Sequence, residues 1–241
     1  MRAETRHQLK EDRFSTATIH AAEATAHWSV EHKSTLIYGG IIIAVLAAAI
    51  GGSWYYFNQQ DLKASLLFGE AIRTMDTPVR PANMPPQPEE PSYASSKERA
   101  TAAHKQFQAV VDQYPHTRSG EFARYFLGLT SSDMGDNAAA EKDLSAVASS
   151  HNPDLASLAK FALAAVYRNT NRNSDAIDIY KGLIAKPTAT VGKSTAQVEL
   201  AATYQAANRP GDAKALYQQI QKDNPNTELA QLAASKLAEL K

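Results

Sequence analysis

The chain has 241 residues, enough for one or two domains, with 25 acidic residues, 25 basic residues and no cysteine. The charge balance leaves no basic footprint for nucleic acid. The lack of thiols excludes disulfides, thiolate nucleophiles and Cys-based zinc sites, and suits a reducing or an oxidising compartment equally.

Alanine is abundant and β-branched clusters are few outside one segment, so the expected fold class is all-α. After a tail over residues 1–35 comes that segment, "LIYGGIIIAVLAAAIGGSWYYF" over 36–57, which carries no charge. As a helix it is about 33 Å long, enough to cross a bilayer core. Trp54, Tyr55 and Tyr56 crowd one end and Tyr38 marks the other, as in interfacial aromatic belts. Ala47, Ala48 and Ala49 mimic a signal cleavage site, but the long tail and the aromatic end favour a retained single transmembrane helix. Only Lys33, Lys63 and Arg73 lie close to its ends, so the positive-inside rule sets no orientation. Gly40, Ala44, Ala48 and Gly52 recur every four residues, a spacing that lets a second transmembrane helix approach.

Residues 58–76 have the apolar spacing of one membrane-proximal helix, through Leu62, Leu66, Phe68 and Ile72. Residues 77–95 hold six of the eleven prolines (78, 81, 85, 86, 88 and 91) and read as a linker in loop or extended polyproline conformation.

From 96 to 241 the sequence repeats. Leu127, Leu163 and Leu200 are spaced by 36 and 37 residues and are followed by Gly128, Ala164 and Ala201. Ala140, Ala176 and Ala213 keep the same steps, as do Leu144, Tyr180 and Tyr217, and Val147, Leu183 and Ile220. Ala103, Phe107 and Val110 extend the pattern backwards as a half-unit. This alternation of small and large residues resembles the tetratricopeptide repeat (TPR), in which paired helices A and B stack into an α-solenoid. The expected architecture is a single transmembrane helix followed by a TPR-like solenoid of antiparallel helix pairs. Pro115, Pro153, Pro187 and Pro225 fall near the exits of helix B, and Pro210 with Gly211 falls in an A–B turn. A terminal helix capped by Asn226 or Thr227 presents Leu229, Leu232, Leu237 and Leu240 to close the stack.

One stretch mimics a nucleotide site. "GKS" at Gly192–Ser194 ends like a phosphate-binding loop, but the position that needs glycine is Pro187 and the preceding spacing is helical. It reads as the turn into the next helix A, with Ser194 as N-cap, so no nucleotide and no cofactor is expected. The seven histidines (7, 20, 27, 32, 104, 116 and 151) are scattered, and no Ser/His/Asp set or metal-ligand spacing appears, so the reading is non-enzymatic.

In the resembling family partners dock on the concave groove lined by helix A. Counting from the leucines, the groove candidates are Phe122, Tyr125, Leu129 and Ser132; Phe161, Ala165, Arg168 and Asn169; and Val198, Ala202 and Gln205. The Lys and Asn positions of TPR modules that clamp C-terminal carboxylates are not matched. Rings at this spacing also suit packing between units.

A short tail, one anchor and a helical repeat domain together resemble the bacterial ancillary Sec-translocon subunit and cell-division-coordinator TPR family (YfgM-like). "FQAVVDQYPHTRSGEFARYFLGL" and "AKFALAAVYRNTNRNSDAIDIYKGL" are its most specific stretches. The resemblance implies a bacterial inner-membrane protein with a cytoplasmic tail, a periplasmic repeat domain and protein partners in the Sec translocon or among envelope chaperones. The alternative is a coordinator of envelope assembly or cell division that binds a cell-wall or outer-membrane machine.

Overall fold

The computed structural model describes residues 28, 32–85 and 92–240. Most of the tail, including His20 and His27, and the prolines at 86, 88 and 91 lie outside the described residues. Among the described residues there are nine helices of more than ten residues and no strand: α1 (Lys33–Asp76), α2 (Ser96–Gln113), α3 (Arg118–Met134), α4 (Asn137–Val147), α5 (Pro153–Asn169), α6 (Asn173–Ala185), α7 (Lys193–Ala206), α8 (Pro210–Asp223) and α9 (Glu228–Glu239). The chain divides into two compact units, Met1–Asn58 and Gln59–Lys241.

In the first unit the apolar part of α1 is long and apolar enough to cross a membrane, and its side chains are exposed. Gly40, Ala44, Ala48 and Gly52 are all exposed there. A Cβ built on Gly40 or Gly52 meets nothing within 4 Å.

The second unit is an all-α stack. Each helix from α2 to α9 packs on the next, and in addition α3 touches α5 and α5 touches α7. The pairs α3/α4, α5/α6 and α7/α8 are the A and B helices of three repeats. Each A helix ends on a residue in the left-handed region, Gly135, Asn171 or Asn208, where glycine and asparagine are tolerated. The next N–H then reaches back to the helix: Asp136 to the Ser131 carbonyl at 2.9 Å, and Arg172 to Tyr167 and Arg209 to Tyr204 at 2.8 Å. This C-cap bond reverses the chain within two or three residues.

The small residues explain the close crossing of A and B. Ala140, Ala176 and Ala213, with Ala164 and Ala201 opposite, are completely buried. At Gly128 an added Cβ would lie 2.7 Å from Leu144 Cγ, closer than packed carbons approach. The large B-helix residues Leu144, Tyr180 and Tyr217 are at most 1% exposed. Tyr180 and Tyr217 belong to one cluster that runs from Ala164 to Ala233 of α9.

Packing in the second unit extends N-terminal of the repeats. Ala64 and Ala71 of α1 are fully buried in one cluster with Phe107, Val110 and Leu127. The Phe68 ring lies 5.8 Å from Phe107 and 5.7 Å from Phe126. Asp61 accepts the Ser119 N–H at 2.9 Å, which caps the start of α3. The packed unit spans Gln59–Lys241, and the last part of α1 supplies the partner that the half-unit around Phe107 needs. Its core face is Ala64, Leu67, Phe68, Ala71, Ile72 and Met75. Leu62 and Leu66, counted with Phe68 and Ile72 on one apolar face, instead remain 54% and 73% exposed.

Residues 77–95 accordingly join two helices of one packed unit. The neck of this loop is closed by Tyr93 N–H to the Pro78 carbonyl (3.1 Å) and Arg80 N–H to Tyr93 (2.9 Å). The Arg80 and Arg99 guanidinium groups donate to the carbonyls of Ser92 and Thr77 at 3.0 and 3.1 Å.

The prolines divide into two roles. Pro115, Pro187 and Pro225 follow α2, α6 and α8 as expected, but Pro153 and Pro210 each open a helix. There the missing N–H costs nothing. Thr227 caps α9, accepting the Ala230 N–H at 3.2 Å. Ser194 is not a cap: Gly192 occupies that position and Ser194 lies in the first turn of α7. The preceding loop is held by hydroxyls instead, with Ser157 Oγ 2.6 Å from Thr188 Oγ1 and 3.0 Å from Thr190 Oγ1, while Val191 is buried in the core.

Four outcomes are expected. Gly128→Ala should destabilise the repeat domain by about 1–3 kcal/mol through overpacking on Leu144. Gly182→Ala, where a Cβ meets nothing, should gain up to about 1 kcal/mol of helix propensity. Urea unfolding followed by circular dichroism reads both, and a stabilised Gly128→Ala variant contradicts the crossing argument. Replacing residues 81–91 with two glycines should leave the unfolding free energy within about 0.5 kcal/mol of the parent, since loop closure depends weakly on length. A chain that begins at Ser96 should lose cooperative unfolding, because it strips the cover from Phe107.

Candidate partner-binding groove

The predicted groove residues lie on α3, α5 and α7, the three A helices that touch in sequence. Their environments divide them into two kinds. Phe122 is half-buried and packs with Tyr125 on a cluster of Val147, Leu155 and Ala159, which joins the first repeat to the second. The Tyr125 ring meets Phe126 edge-on at 5.3 Å, and burial pushes its hydroxyl pKa up. Phe161 is also half-buried, with its ring edge-on to Tyr180 at 5.6 Å. These rings sit at seams between helices, which leaves only part of each face open. Leu129 is half-buried on α3.

The polar candidates Arg168, Asn169 and Gln205 lie on α5 and α7. Arg168 donates to Glu199 Oε2 at 2.6 Å, an ion pair between the A helices of consecutive repeats. Gln205 accepts the Tyr217 hydroxyl at 3.2 Å. Asn169 is exposed at the end of α5. Glu199, Tyr180 and Tyr217 were not among the predicted site residues. The signal for the last two was present, because both occupy the large position of helix B that the repeat alignment had assigned to packing alone.

The two tyrosines differ in a way that follows from their A-helix neighbours. Gln205 stands 37 residues after Arg168, at the equivalent place in the next repeat. Gln205 serves Tyr217, whereas Arg168 turns to Glu199, and the buried Tyr180 hydroxyl has no hydrogen-bond partner among the described residues. Burial, and secondarily the Glu199 carboxylate, pushes the Tyr180 pKa up to about 12, with Arg168 opposing. The hydroxyl thus stays neutral across the physiological range.

A geometry repeated within the chain lies at the A–B turns. The Arg172 guanidinium stacks over Tyr167 at 4.0 Å and pairs with Asp175 at 2.8 Å. Arg209 repeats this over Tyr204 at 4.7 Å with Asp212 at 2.7 Å. Arg172 and Tyr167 also both donate to Glu141 of the preceding repeat. These contacts fasten turns and register. A cavity of about 300 Å³, lined by Met75, Ser96, Arg99, Ala100, Thr130 and Asp133, holds none of the groove candidates. Among the described residues no group of three His, Asp or Glu side chains is arranged to hold a metal.

Tyr180→Phe is expected to keep or slightly raise stability, since it removes an unpartnered buried hydroxyl, while Tyr217→Phe should lose about 1 kcal/mol with its bond to Gln205. Equal losses in urea unfolding would contradict the assignment. Tyr125→Ala and Phe161→Ala should each cost on the order of 2 kcal/mol through lost seam packing. Asn169→Ala should leave the unfolding curve in place, so that any change in partner capture reports binding alone.

Comparison with known families fits this geometry. The model of the tetratricopeptide repeat-like domain matches residues 26–186, and that of the tetratricopeptide repeat matches residues 195–227. No curated protein and no solved structure matches the chain. The first match takes in the apolar helix together with the first two full repeats and the helices before them, and the second covers the α7/α8 pair. Helix pairing, small residues at the crossings and family matches over most of the sequence place this chain in the tetratricopeptide repeat-like domain family.

Proposed function

We propose that the protein is a non-enzymatic, membrane-anchored scaffold that holds a protein partner on the face formed by α3, α5 and α7. The observation that carries this reading is the row of touching A helices, with exposed Asn169 and half-exposed Arg168, Gln205, Phe161 and Tyr125 along it. Stacked repeats present such extended surfaces for partners, and TPR domains serve as protein-interaction scaffolds. The exposed apolar half of α1 supports attachment to a membrane through one helix.

The finer reading rests on the sequence resemblance. It makes this an inner-membrane protein with its repeat domain in the periplasm, working as an ancillary component beside the Sec translocon and the envelope chaperones. Gly40, Ala44, Ala48 and Gly52 would then face a transmembrane helix of the partner, and the repeat face a soluble segment.

Site-specific photocrosslinking in native membranes tests both surfaces, with probes at Ala48 and at Asn169 and identification by mass spectrometry. Capture of translocon subunits or a membrane-tethered chaperone is the expected result. Capture of division or outer-membrane assembly proteins without any translocon subunit transfers the scaffold to the coordinator role. No adduct from Asn169 to any protein would overturn the groove.

A further inference from the structure

No further inference is drawn: the strongest candidate, the exposed Leu62 and Leu66 pair on the α1 helix where it opens the repeat stack, is an unpartnered apolar face, and nothing in the structure shows what covers it.

Discussion

Two helices of a repeat can bury their shared face only if their backbones come close, and closeness is limited by the smallest side chains at the crossing. In the first full repeat that limit reaches glycine, because Leu144 occupies the space where a Gly128 methyl would stand. In the next two, alanine faces alanine, Ala164 with Ala176 and Ala201 with Ala213, all without solvent exposure. The close crossing leaves the large B-helix side chain nowhere to go but toward the adjoining helices. Tyr180 and Tyr217 are buried there, each removing roughly 150–250 Å² from water. No pair completes its own core, so the stack is stable only as a series, closed at its far end by Ala230 and Ala233 of α9.

The polar ties between repeats have a different part. Arg168–Glu199 and Arg172–Glu141 join successive repeats, but their side chains are a quarter to a half exposed, where ion pairs contribute about 0–1 kcal/mol. Their geometry matters more than their energy. A shift of register by one residue would break both pairs and would also take Tyr167 off Glu141. The apolar seams supply cohesion and the charged contacts select one alignment. The cost appears at Tyr180, whose hydroxyl has no partner among the described residues: Gln205 offers Tyr217 an amide oxygen, whereas Arg168 at the equivalent place has no acceptor to offer and pairs with Glu199.

Three full repeats were legible in the sequence because the crossing imposes small residues at fixed steps, and those steps survive between Leu127 and Ile220. The turns follow the same arithmetic through Gly135, Asn171 and Asn208, a left-handed position that asparagine fills less conspicuously than glycine. The helix over 58–76 was legible, but its place in the stack was not, since residues 77–95 separate it from its partner and break the period. Its core face was also obscured, because Leu62 and Leu66 follow an apolar helix and look like core while Ala64 and Ala71 take that place. For the groove, helical spacing placed Phe122, Tyr125 and Phe161 on the A helices but did not separate ring area at a seam from ring area in the open. Only the contacts with Phe126, Tyr180 and the Val147 cluster make that division.

The position of the proline-rich stretch follows from the unequal duties of the two kinds of connection. Between α6 and α7, the loop buries Val191 and knits Thr188 and Thr190 to Ser157, so extra residues there would pull a core side chain out of place. Between A and B the turn has only to cap two helix ends and reverse direction. A long insertion is tolerated at such a turn if its ends are brought back together. The bonds from Tyr93 to Pro78, from Arg80 to Tyr93 and Ser92, and from Arg99 to Thr77 do this. They isolate the length of the loop from the packing of Phe68 against Phe107. The first pair can therefore carry an insertion that a connection between repeats would transmit to the core.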